Sequence, residues 1–145
     1  MKKWLYAAVV FAALCLLTRL PHPAKDIADL EPVRVVYLFR QGATLRIETD
    51  TGAWGSGEDL AQALEAMRSG ADGEIFLETA EFLLLSPQVP VTEDFYTLLR
   101  PGCGVVYTDQ KPDLTAAARY LTVHPPKTKL RDLRADAAAR EGSRP

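Results

Sequence analysis

The hydrophobic and polar positions of the chain follow two different periods, and these periods predict strands and helices. Residues 33–40 are rich in β-branched and aromatic side chains, and residues 43–51 alternate apolar with polar side chains. Gln41 and Gly42 separate the two segments, which is typical of a β-hairpin.

Apolar residues recur at helical spacing over residues 58–69, which predicts a helix. The residues that form its apolar side are Leu60, Leu64 and Met67. Ser56, with Asp59 three residues later, predicts the N-terminal cap of this helix, and Gly70 predicts its end. The glycine-rich residues 52–57 are expected to form a flexible connection between strand and helix.

Three further helices are predicted from apolar spacing and from prolines that stop helices. The first follows a cap at Thr92 and ends before Pro101. The second follows a cap at Asp113 and ends before Pro125. The third covers residues 128–139 and is only weakly amphipathic.

Residues 74–86 and residues 104–108 predict two more strands. Apolar residues are dense in the first, which favours a strand buried on both faces. A strand that begins only at Phe82, after a short turn, is the alternative. The order β-β-α-β-α-β-α-α predicts one small α/β (α+β) domain over residues 33–133, with a mixed sheet packed by helices. Residues 134–145 are expected to form a helical or disordered basic tail.

The N-terminus carries the strongest signal for location. Lys2 and Lys3 precede an apolar run over residues 4–17. The run has about 14 residues, which lies between the length of a signal-peptide core and that of a membrane-spanning helix. The two lysines favour export of the chain that follows. We therefore expect the domain to lie outside the cytoplasm, at the cell membrane.

The fate of this leader has three interpretations. No small-x-small cleavage motif follows the apolar run, which favours an uncleaved signal-anchor, a single transmembrane helix over residues 1–20. Residues 21–32, with three prolines, are then a linker. Cleavage as a signal peptide and lipidation at Cys15 are the alternatives, although Leu14 is not the small residue that a lipidation signal carries before its cysteine.

Charge is unevenly distributed along the 145 residues, whose formal net charge is −2. Twelve acidic residues and only two basic ones lie between Glu48 and Asp109. From Lys111 onward there are eight basic and four acidic residues. The acidic stretch argues against nucleic acid as a partner. The basic tail suits contact with anionic lipid or an acidic protein surface, or a solvated helix.

Motifs for catalysis or metal binding are not found in the sequence. Residues 52–57 lack the lysine and hydroxyl of a phosphate-binding loop. On one strand, Glu78 and Glu81 would face opposite sides, and an enzyme would need both to converge with Asp109. Cys103, beside a turn, is expected to be a small buried residue. We therefore expect no enzyme, no catalytic residue, no metal and no cofactor.

Trp54 is the candidate interaction residue, because a large aromatic side chain in a glycine-rich segment is either an interface anchor or folded back on the core. The sequence favours a non-enzymatic interaction module whose partners are the membrane and membrane or cell-envelope proteins. The alternative is a small-ligand-binding domain outside the cytoplasm, with a pocket near residues 52–57 and residues 101–104.

Residues 55–64 (GSGEDLAQAL) resemble the Gly-x-Gly-x-x-x-x-x-Ala opening of a helix in the Ger(x)C family, the C subunits of spore germinant receptors. The order of elements over residues 33–133 is similar to that of the family's N-terminal domain. The resemblance implies a spore-forming bacterium, a place on the outer face of the inner membrane, and a non-enzymatic role in sporulation or germination. It transfers no functional residue, and the family's members are longer lipoproteins.

Overall fold

The computed structural model describes residues 30–141 and arranges them around a mixed β-sheet. Its strands are β1 (Leu30–Pro32), β2 (Val35–Gln41), β3 (Thr44–Thr49), β4 (Trp54–Gly57), β5 (Glu74–Phe76), β6 (Phe82–Leu85) and β7 (Gly104–Tyr107). Its helices are α1 (Leu60–Gly70), α2 (Glu93–Leu98), α3 (Leu114–Val123) and α4 (Leu130–Glu141).

Five strands form the main sheet in the order β4-β3-β2-β6-β7. Strands β2, β3 and β4 run antiparallel, whereas β6 is parallel to β2 and to β7. Strands β1 and β5 form a separate parallel pair. The predicted hairpin is β2–β3, and Gly42 takes a positive φ of 66° in its turn. The expectation of a small α+β domain with a mixed sheet packed by helices is therefore confirmed.

The sheet separates two layers of helices. One side, here called the α1 face, is covered by α1, α2 and α4 and holds the larger core, with Leu38, Ile47 and Leu83 fully buried. The other side, here called the α3 face, packs Ala118 and Leu121 of α3 against strands β2 and β6. Burial of apolar surface on both sides of one sheet is the main stabilising contribution in such a domain.

Helix α1 lies directly on the backbone of β4, and two glycines make this approach possible. A Cβ atom added to Gly55 would collide with the backbone of Ala63 and Met67. A Cβ atom added to Gly57 would collide with Gln62 and with the backbone nitrogen of Ala63. These glycines are required for close packing, since neither takes a positive φ.

Two expectations about this segment are wrong. Residues 54–57 are not a flexible loop but strand β4, which pairs Gly55 with Ile47 of β3. The cap of α1 is not Ser56 but the carboxylate of Asp59, which accepts a 2.8 Å hydrogen bond from the amide of Gln62. The predicted cap of α3 is confirmed, because the Asp113 carboxylate accepts from the amide of Ala116 at 2.9 Å.

The predicted long strand over residues 74–86 is divided in the structure. It consists of β5, a 3₁₀ turn at Leu77–Thr79, and β6, which begins at Phe82 as the alternative had it. Thr92 precedes α2 as expected, but its side chain makes no capping hydrogen bond. Strand β1 occupies the end of the expected linker, and α4 continues beyond residue 133 to Glu141.

The expected membrane helix over residues 1–20 lies outside the described residues. Within residues 30–141, no helix has the length and apolar character needed to cross a bilayer. The last residues of the expected basic tail, 142–145, also lie outside the described part of the chain.

The packing of α1 on β4 predicts that Gly55→Ala destabilises the domain by about 2–3 kcal/mol, because the added methyl group must displace helix backbone. Gly70→Ala is the matched control, since a Cβ there meets nothing within 4 Å. The free energy of unfolding, from urea denaturation followed by circular dichroism, measures both changes. Equal stability of the two variants would contradict the close approach.

Candidate functional site

Trp54 stands on the α3 face of strand β4, at the edge of the five-stranded sheet. Side chains alternate along a strand, so the residue beside Gly55 points away from α1. The side chain of Trp54 is 55% exposed. Trp54 is thus not folded back on the core, and it is among the few large hydrophobic side chains exposed in residues 30–141.

Helix α3 covers only part of its face of the sheet. It packs over β2 and β6, while β3 and β4 carry no helix on this side within the described residues. The uncovered part is called the Trp54 surface here. Its residues are Arg46, Glu48, Trp54 and, from the connection between β7 and α3, Lys111.

The guanidinium of Arg46 lies over the indole ring of Trp54, with 4.6 Å from its central carbon to the ring centroid. A cation–π contact of this kind contributes about 0.5–1 kcal/mol at an exposed site. Arg46 also approaches Glu48, two residues along the same side of β3, with 2.9 Å between Nε and Oε1. The contact with the carboxylate therefore orients the guanidinium against the indole.

Glu48 is a buried carboxylate, only 8% exposed, held between two cations. Its Oε2 lies 2.6 Å from Nζ of Lys111, and its Oε1 faces Arg46. Neither the Oε1 of Glu48 nor the Nε of Arg46 makes a hydrogen bond. Their contact is therefore an ion pair in which the N–H of Arg46 does not point at the carboxylate oxygen. Burial, and then the charge of Glu48, raise the pKa of the neighbouring Tyr37 phenol.

The charges of the Trp54 surface leave an excess of one positive charge. Arg46 and Lys111 carry two positive charges against the one carboxylate of Glu48. Lys111 belongs to the segment that leads into α3, so its ion pair also ties that segment to β3. The result is an exposed aromatic ring beside a fixed guanidinium, an arrangement suited to contact with another protein.

A groove on the α1 face is a second concave feature. Its volume is about 880 Å³, and it lies between α1, β5 and α2. A smaller cavity of about 280 Å³ lies beside Tyr96 and Tyr107. The prediction of a pocket near residues 52–57 and residues 101–104 is wrong. The first segment includes β4 and the second leads into β7, and these strands are the opposite edges of the sheet.

The acids that an enzyme would need are not brought together. Glu78 lines the groove on the α1 face. Glu81 pairs with Arg34 at 3.3 Å, and the same Arg34 donates to Thr122 of α3, which places Glu81 toward the α3 face. Asp109 follows the far end of β7, which runs parallel to the strand that Glu81 precedes. These carboxylates therefore do not share a cleft.

Other chemically reactive side chains are accounted for by packing. Cys103 is fully buried, and burial raises the pKa of its thiol to about 12, so the thiol stays protonated. His124 stacks on Tyr120 with ring centroids 4.6 Å apart. Among residues 30–141, no three His, Cys, Asp or Glu side chains are placed to hold a metal ion.

Comparisons of the chain with protein-family models, with curated proteins and with solved structures found no match. Trp54 is the one member of its surface that the sequence singled out. The alternation around Leu45 and Ile47 would have placed Arg46 and Glu48 on one side of β3. No sequence signal pairs Glu48 with Lys111.

The burial of Glu48 predicts that Glu48→Gln lowers the free energy of unfolding by about 1–3 kcal/mol, because two cations lose their counter-charge. Glu81→Gln is the control, since its pair with Arg34 is partly exposed and should cost less than about 1 kcal/mol. Urea denaturation of both variants provides the measurement. A smaller loss for Glu48→Gln than for Glu81→Gln would exclude a supporting role for this carboxylate.

Proposed function

We propose that the protein is a non-enzymatic interaction module, anchored to the cell membrane by its N-terminus, that works outside the cytoplasm. Its partner is a membrane or cell-envelope protein, and the Trp54 surface is the contact. The observation that carries this proposal is the exposed indole of Trp54, held under the guanidinium of Arg46 on an uncovered part of the sheet.

Tryptophan and arginine are the residue types that most often dominate the binding energy of protein interfaces. Arg46 is held by Glu48, which is itself held by Lys111. A side chain that is already oriented loses less conformational entropy when a partner binds. The indole of Trp54 adds a large, rigid apolar area with only two side-chain torsions. The pair is therefore organised for contact before a partner arrives.

The location rests on the sequence of the leader. Lys2 and Lys3 before the apolar residues 4–17 favour retention in the membrane with the domain outside. Pro21 and Pro23, which precede β1 in the sequence, suit a spacer between membrane and domain. A partner in the membrane or the envelope is then within reach of the Trp54 surface.

A role in sporulation or spore germination is supported by the resemblance of residues 55–64 to the Ger(x)C family. In this chain the two glycines of that pattern lie against α1, and Ala63 is the helix residue that they meet. The pattern thus has a packing reason, which is consistent with a shared fold and carries no binding residue.

The alternative function, a ligand-binding domain outside the cytoplasm, is favoured by one observation. This is the groove of about 880 Å³ on the α1 face. It lies on the opposite side of the sheet from Trp54, so the two functions are compatible and can be tested separately.

The proposed contact is tested by replacing Trp54 with the photo-crosslinking residue p-benzoylphenylalanine in cells that make the protein. Tyr120 is the matched control, since it is an aromatic residue that is 63% exposed and lies on α3. Irradiation should give one adduct of discrete mass from position 54 and none from position 120. Arg46→Gln should lower the adduct yield several-fold.

The same cells test the location. The adduct should remain in the membrane after an alkaline carbonate wash, and proteinase K added to protoplasts should digest the domain. Equal crosslinking from positions 54 and 120 would overturn the Trp54 contact. A domain that resists external protease while the protoplasts stay intact would overturn the extracytoplasmic location.

A further inference from the structure

The groove on the α1 face has the size and the lining of a binding site. Its volume of about 880 Å³ falls within the range of about 300–1,000 Å³ that is usual for ligand pockets. Helices α1 and α2 form its sides, and β5 with the following 3₁₀ turn closes it from below. Elements distant in sequence thus meet around one concavity.

The floor of the groove is apolar. Leu64 and Leu98 pack against the core. Like Phe76, they are only partly buried, and all three line the groove, so each presents apolar surface to it. Leu60 and Ile75 lie beneath them and are buried. A ligand with apolar groups would remove this exposed surface from water, which favours binding in proportion to the area covered.

The rim of the groove is acidic, which favours a positively charged ligand. Asp72 precedes β5, Glu78 lies in the 3₁₀ turn and Asp94 lies in α2, and all three are exposed. None of the three forms an ion pair with another of the residues 30–141. Arg68 is the one basic side chain among the described lining residues. The rim therefore attracts cations and repels anions.

We propose that this groove binds a short cationic peptide segment that also carries apolar side chains. The apolar side chains would cover Leu64, Phe76 and Leu98, and lysine or arginine side chains would meet the rim carboxylates. Because these carboxylates come from three different elements, a ligand with several cations along its length matches them better than a single small cation. The inference gives the ligand class for the ligand-binding alternative and rests on that alternative, not on the Trp54 surface.

The test uses the full-length chain in phosphatidylcholine nanodiscs and three fluorescein-labelled hexapeptides. One alternates lysine with leucine, the second alternates lysine with serine, and the third alternates glutamate with leucine. Fluorescence anisotropy should show tight binding of the lysine–leucine peptide only. Empty nanodiscs give the contribution of the lipid.

The rim is tested by combining Asp72→Asn, Glu78→Gln and Asp94→Asn, which leaves the exposed side chains similar in size. This variant should bind the lysine–leucine peptide about tenfold more weakly, since each lost surface ion pair accounts for a few-fold. The control combines Glu58→Gln, Asp109→Asn and Asp136→Asn, which removes the same charge from exposed positions elsewhere. The control should bind as the unaltered protein does.

Each result decides a part of the inference. Equal binding by the rim variant and the control would overturn the role of the carboxylates. Equal binding of the lysine–serine peptide would overturn the role of the apolar floor, and equal binding of the glutamate–leucine peptide would overturn the cationic specificity. If no peptide binds, the proposal that the groove binds peptides is overturned. The crosslinking result at Trp54 does not depend on this outcome.

Discussion

Helix α1 packs directly against the two glycines of β4, and this contact positions both the groove and Trp54. Because Gly55 and Gly57 have no side chains, the helix backbone reaches the strand and closes the core over β3 and β4. Because successive side chains of a strand point to opposite sides, Trp54 points away from α1, to the other side of the sheet. One packing requirement thus determines both the helix that forms one wall of the groove and the direction in which the exposed aromatic side chain points.

The α3 face has a different balance of forces. Helix α3 buries apolar side chains over the central strands, whereas the part beside the sheet edge holds Glu48 between Arg46 and Lys111. A buried carboxylate is costly unless cations compensate it, so these three side chains depend on one another. Their arrangement fixes the guanidinium over the indole and gives the Trp54 surface its shape before any partner is present.

The coarse fold was predictable because its signals are local. The hairpin follows from period-two alternation and a glycine turn, and the four helices follow from apolar spacing and helix-stopping prolines, with Asp113 as a correct cap. Strand β4 was missed because its glycines suggested flexibility, whereas they serve a contact with a helix that only the folded chain brings near. Strand β1 has three residues, too few for a period to emerge, and the predicted strand over residues 74–86 contained β5 without separating it from β6.

The site was predictable only in part, for a related reason. Trp54 stands out in the sequence as a large side chain among glycines. The residues that lie beside it are determined by how the strands pair in the sheet, which the sequence does not show. Trp54 pairs with Glu48 across β3 and β4, and the guanidinium of Arg46, two residues away on β3, lies over its ring. Lys111 reaches Glu48 from a segment far along the chain. The groove likewise collects its lining from α1, β5 and α2, which no single window of sequence contains.

We propose that β4, which packs against α1 through its glycines, presents Trp54 to a partner on the opposite side of the sheet. Hydroxyl-radical footprinting with mass spectrometry tests it most directly, by comparing oxidation of Trp54 and Tyr120 in the purified full-length protein and in intact cells. Both side chains should be oxidised in the purified protein. In cells, Trp54 should be protected several-fold while Tyr120 is not. Unchanged oxidation of Trp54 in cells would contradict a partner contact at this side chain.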